Sequence, residues 1–134
     1  MSESRLHIEL VYSLKKWIEN QYQNNVSIIL LDLPDCDSNS KRFLINGFRP
    51  DVYAIAFEGT IIIIGEAKTT RDLESKRSEK QIIALLDFCS KNPNSKFVLS
   101  VPWDIKRHAQ NLIKDLITKN CFNNLDFVVI DNIQ

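Results

Sequence analysis

Asp51, Glu66 and Lys68 are the residues in this chain whose types and spacing could do chemistry. Asp51 follows Arg49-Pro50 and opens an apolar run from Val52 to Phe57, and Glu58-Gly59-Thr60 then breaks the pattern. A second apolar run, Ile61 to Ile64, leads into Gly65-Glu66-Ala67-Lys68. Two such runs joined by a short loop containing glycine predict a β-hairpin. Closing it around Gly59 sets position 51 opposite a residue between 65 and 67. Side chains alternate along a strand, so Ile62, Ile64, Glu66 and Lys68 share one face while Ile61, Ile63, Gly65 and Ala67 share the other. Two carboxylates and an ammonium then converge at the edge of a very apolar sheet. Ionised groups buried there are costly unless they are paired or bind a cation. A divalent ion between Asp51 and Glu66, with Lys68 aimed at it, would account for the arrangement. A solvated salt-bridge cluster at a sheet edge is the plainer alternative, and the isoleucines beside it argue against that.

Several elements must hold these residues in place. Residues 3–20 read as a helix with Leu6, Leu10, Leu14, Trp17 and Ile18 as its apolar stripe, Val11 at the margin and Ser2 or Ser4 as cap. Glu9 falls roughly 110° from that stripe's centre, a shoulder from which it could add a metal or water ligand. Val26 to Leu33 reads as a central strand. Residues 34–40 form a loop whose acids lack the central glycine and terminal glutamate of a calcium site. Arg42 to Ile45 could add a short strand before a turn at Asn46-Gly47. Beyond the polar connection Thr69 to Asp72, a second helix is expected over 73–90. Ser75, Ser78, Ile82, Leu85, Leu86 and Cys89 face inward on it, Phe88 flanks them, and Gln81 lies on its shoulder. Asn92-Pro93-Asn94 ends that helix. A strand over 96–101, a helix over 104–119 with Trp103 packed at its start, and a final strand over 126–130 complete an α/β chain of one domain.

Composition narrows the function without naming it. The 134 residues carry 17 basic and 17 acidic side chains, so no general basic footprint supports nucleic-acid binding. Three dispersed cysteines, Cys36, Cys89 and Cys121, argue against a disulfide framework or a zinc knot. No stretch reaches membrane-span length, and MSESRLHIEL lacks the layout of a secretory signal, so the expected location is intracellular and cytoplasmic. His7 and His108 are single, unclustered and read as non-catalytic; Trp17 and Trp103 read as core or interface aromatics, not as base-stacking platforms. Arg49, Arg71, Arg77 and Lys80 are the basic residues available to a phosphate, the arginines offering a fixed donor fork.

Pro50-Asp51, then Glu66-Ala67-Lys68 on the next strand, with Gln81 in the following helix and Glu9 in the preceding one, resembles the PD-(D/E)xK nuclease superfamily. The restriction-endonuclease-like and Holliday-junction-resolvase-like groups are the nearest in layout. The resemblance covers roughly residues 3 to 101. It implies a restriction-endonuclease-like core, a central mixed sheet of four to five strands flanked by helices, and metal-dependent hydrolysis of nucleic-acid phosphodiesters, most simply by a DNA endonuclease. It also implies that Asp51 and Glu66, with Glu9, would ligate Mg²⁺ (or Mn²⁺ as a substitute). Lys68 would position or help deprotonate the attacking water, and Gln81 would support the substrate or the lysine. DNA is the implied partner, with a homodimer or a separate specificity subunit supplying further contact area. A catalytically inactive domain of the same fold, serving in binding or assembly, is the alternative.

Overall fold

The computed structural model describes residues 4–33 and 44–132. Ser4 caps the first helix, α1 (Arg5–Tyr22), by accepting the His7 backbone N–H. Five strands follow: β1 (Val26–Leu31), β2 (Val52–Ala56), β3 (Ile61–Ala67), β4 (Ser95–Val101) and β5 (Phe127–Asp131). They lie side by side in that order. β1, β2 and β3 form an antiparallel meander, whereas β4 and β5 run parallel to β3. Helices return the chain after β3 and β4: one turn, α2 (Thr70–Leu73), then α3 (Lys76–Lys91), and later α4 (Lys106–Lys119). This is an α/β fold with an open, mixed five-stranded sheet between helices.

Strand alternation divides the core into two layers. Val52, Ala54, Ala56, Ile63, Ala67 and Val98 face α1 through its Leu10, Val11, Leu14 and Ile18. Ile64, Phe97, Leu99 and Val129 face the opposite way, against Ile82, Leu85 and Leu86 of α3 and Ala109 and Ile113 of α4. At about 25 cal/mol per Å² of apolar surface buried, these two layers supply the principal stabilisation. Cys89 belongs to the second layer, where burial pushes its thiol up to about 11. It is a packing residue.

Several sequence expectations need correction. β1 is an edge strand, not a central one: Leu31 is buried under α1, but Ile28 on the other side of the strand remains 45% exposed. An unbroken β-branched run therefore marked a strand covered on a single face. Of the expected strand at 42–45, residues 42 and 43 lie outside the described residues, as does the loop at 34–40. Ile45 pairs with Phe48 only as an isolated bridge across Asn46-Gly47. Both turn residues have positive φ, 50° and 86°, the backbone shape that Asn-Gly tolerates. Ser75 caps α3 and is not an inward residue. Trp103 is not buried at the start of α4 but stands 61% exposed in a short 3₁₀ turn before it.

Candidate functional site

The hairpin register decides whether the two acids meet. Val52 pairs with Gly65 and Tyr53 with Ile64, so continuing the ladder by one step sets Asp51 opposite Glu66. Each residue then ties down the other's strand. The Asp51 backbone N–H donates to Glu66 Oε1 at 3.0 Å, and the Ala67 backbone N–H donates to Asp51 Oδ2 at 2.8 Å. These bonds fix both carboxylates at the carboxyl end of β3. Each has a second oxygen left over.

Those second oxygens face a lysine and a histidine. Lys68 Nζ lies 3.4 Å from Glu66 Oε2 and donates to Gln81 Oε1 on α3. His7 Nε2, on α1, lies 3.4 Å from Asp51 Oδ1. All three central side chains are withdrawn from solvent: Asp51 and Lys68 are 9% exposed and Glu66 only 2%. This is not a solvated surface cluster.

Burial pushes the Glu66 carboxyl well above its ordinary range, and the neighbouring Asp51 charge pushes it further; the Lys68 ammonium and the Asp51 N–H pull it back less strongly. Either protonation of Glu66 or a cation beside it relieves the repulsion between the two carboxylates.

The helices deliver one of the two expected residues and withhold the other. Gln81 reaches Lys68 from the α3 shoulder, as its position roughly 90° from the buried stripe allows. Glu9 is exposed and is not brought to the site. The buried set on α1 is Leu10, Val11, Leu14, Ile18 and Tyr22. At about 100° per residue its centre is rotated roughly 60° from a stripe drawn through Leu6 and Trp17, which puts Glu9 on the outer face and His7 in the stripe. His7 is the residue that sequence reasoning missed, and its i+4 and i+7 spacing to Val11 and Leu14 was the available signal. Gly65 makes the approach of α1 feasible, since a Cβ there would lie 3.1 Å from Val52 Cβ and 3.3 Å from a Leu14 methyl.

The basic residues divide similarly. Arg49 is partly buried with Nη1 3.6 Å from Asp32 Oδ1, beside a strand end tied to the site by the Asp32 N–H donating to the Asp51 carbonyl. Arg71 is exposed on α2, the turn that follows Lys68. Arg77 is exposed one helical turn before Gln81 on the same shoulder of α3, whereas Lys80 is exposed about 100° away from Gln81 and points off the sheet. His108 stands apart from the acids, 3.2 Å from Glu74.

Among the described residues, no group of three or more His, Cys, Asp and Glu side chains is arranged to hold a metal ion. Two carboxylates are nevertheless a sufficient protein share for Mg²⁺, which keeps several waters and takes its remaining ligands from substrate phosphate. The carboxylate oxygens of the buried pair are donors of the kind that Mg²⁺ takes. No helix among the described residues is long and apolar enough to cross a membrane. Comparison of the chain with known protein families, curated proteins and solved structures finds no match to any of them.

Proposed function

We propose that this protein is a divalent-metal-dependent nuclease of the PD-(D/E)xK type, acting on DNA. The observation that carries the reading is the mutual anchoring of Asp51 and Glu66 across the hairpin, with Lys68 beside them and all three buried. The order of elements, a helix, a three-stranded meander, a helix and a parallel strand, agrees with that superfamily's common core.

Asp51 and Glu66 are the residues that would hold Mg²⁺, with Mn²⁺ as a substitute. The bound ion would polarise a phosphate and lower the pKa of a bound water. Glu66 serves as a ligand only in its ionised form. Lys68, held by Gln81 and Glu66, presents a fixed ammonium to a phosphate oxygen or to the attacking water, where it stabilises charge that develops in transfer. His7 steadies the outer oxygen of Asp51 and takes the α1 role expected of Glu9. Arg71, on the turn after Lys68, and Arg77, one helical turn before Gln81, are better placed than Lys80 to meet the strand's phosphates.

The test is incubation of purified protein with linear, nicked and branched DNA and with RNA, in Mg²⁺ and in Mn²⁺. Cleavage that disappears in the Asp51→Ala and Glu66→Ala variants is the expected result. Absence of cleavage by wild type, or equal cleavage by the variants, would refute the enzymatic reading and favour a binding module of the same fold.

A further inference from the structure

Trp103 is the most exposed of the large apolar side chains among the described residues, at 61%. Single exposed apolar residues are ordinary; the position of this one is not. It follows β4, the strand paired in parallel with the one that carries Glu66 and Lys68, and the Lys68 N–H donates to the Ser100 carbonyl. Ala67 pairs with Ser100, and Trp103 is three residues further along. A strand spacing of about 4.8 Å and a rise of about 3.3 Å per residue put the Trp103 backbone within roughly 12 Å of the site. That span corresponds to about three or four nucleotides of a stacked strand.

The ring's platform is held in place. Asn132 Oδ1, just past β5, accepts the Trp103 backbone N–H at 3.2 Å, and Pro102 before it is buried. His108 on α4 meets Glu74 just past α2, so the α4 start lies against the connection leaving Lys68. The surrounding charges nearly cancel: Arg71 and Arg107 are exposed, but so are Asp72, Glu74 and Asp104. A phosphate-binding groove would need more positive charge than this. An aromatic face near that edge offers a π surface on which a base that is not paired can stack, with Arg71 and Arg107 the exposed arginines near it.

We propose that Trp103 is a stacking platform for an unpaired nucleotide a few positions from the scissile phosphate, so that the substrate is DNA with a single-stranded or frayed segment. The placement rests on the nuclease reading, but the binding can be tested without catalysis. Trp17 and Trp103 are the two tryptophans of the chain, so a Trp17→Phe background leaves Trp103 as sole reporter. Its fluorescence is titrated in EDTA with a short oligodeoxythymidylate and with a blunt hairpin duplex. Saturable quenching by the single strand is expected, with a shallow salt dependence. Trp103→Ala should weaken single-strand binding about 5- to 150-fold, with Trp103→Phe retaining most of it and duplex binding unchanged. Absent quenching, equal binding by Trp103→Ala, or equal loss on strand and duplex would each overturn the proposal. So would quenching that follows protein concentration and not oligonucleotide, which would assign the ring to a contact between copies. Cleavage in Mg²⁺ that persists unaltered in Trp103→Ala would remove this site and leave the nuclease. Quenching by a protein that cleaves nothing would do the reverse.

Discussion

On the proposed reading a proton and a metal ion would compete for the space between Asp51 and Glu66, and that competition is measurable. Glu66 is buried beside another carboxylate and is held above its ordinary range by both. Metal binding must therefore expel a proton wherever Glu66 is still protonated. With one proton exchanged, the dissociation constant for Mg²⁺ should fall by at most about tenfold, or about 1.4 kcal/mol, for each pH unit gained below the Glu66 value. Above that value it should level off. The same binding stabilises the fold by about 2.7 kcal/mol when Mg²⁺ is at 100 times its dissociation constant, which raises the melting temperature of a chain this size by roughly 10 °C. Calorimetric titration from pH 5.5 to 8.5, in buffers of differing ionisation heat, counts the protons released. Up to one proton at the acid end and a vanishing count at the alkaline end are expected. Affinity independent of pH, or the same proton count in Glu66→Gln, would refute the reasoning.

Three further outcomes follow from individual contacts. Because the folded Glu66 value is raised, its stabilising contribution is complete below the unfolded carboxylate value and is lost as pH rises through the folded one. Metal-free Glu66→Gln should accordingly melt higher than wild type at pH 8, by about 1.4 kcal/mol per unit of the rise, with the gain absent near pH 4; a lower melting point at pH 8 would count against it. His7→Ala should lower kcat about 10- to 100-fold by releasing the outer oxygen of Asp51, while Glu9→Ala, on the outer face, should leave cleavage kinetics unchanged; the reverse order would show that α1 is wrongly turned. Gly65→Val should cost about 1–3 kcal/mol in urea unfolding, since the added methyls meet Val52 and Leu14, and an unaffected midpoint would show that α1 does not press on the hairpin.

Local patterns carried most of the architecture. The two apolar runs on either side of Gly59 were enough to set Asp51 opposite residues 65–67, because a tight hairpin leaves the register little freedom, and the observed ladder puts it at Glu66. The inward set of α3 was equally legible, since Ser78, Ile82, Leu85, Leu86 and Cys89 form one stripe that needs no knowledge of its partner. α1 was harder. Leu6 and Trp17 are apolar yet only partly buried, so counting them as core turned the helix and exchanged His7 for Glu9. Position within the sheet was not legible for β1, since an apolar strand under one helix has the same composition as a strand covered on both faces. Trp103 shows the same limit: its side chain is as apolar as any core residue's, and only the strand end on which it sits leaves it in solvent.

Crystals of the metal-free protein soaked in Mn²⁺ and measured at the manganese absorption edge offer the most direct test. An anomalous peak within coordination distance of Asp51 Oδ1 and Glu66 Oε2, with Lys68 Nζ beside it, is the predicted result. Fully occupied Mn²⁺ elsewhere on the protein, with no peak between the two carboxyls, would contradict the metal-centred account.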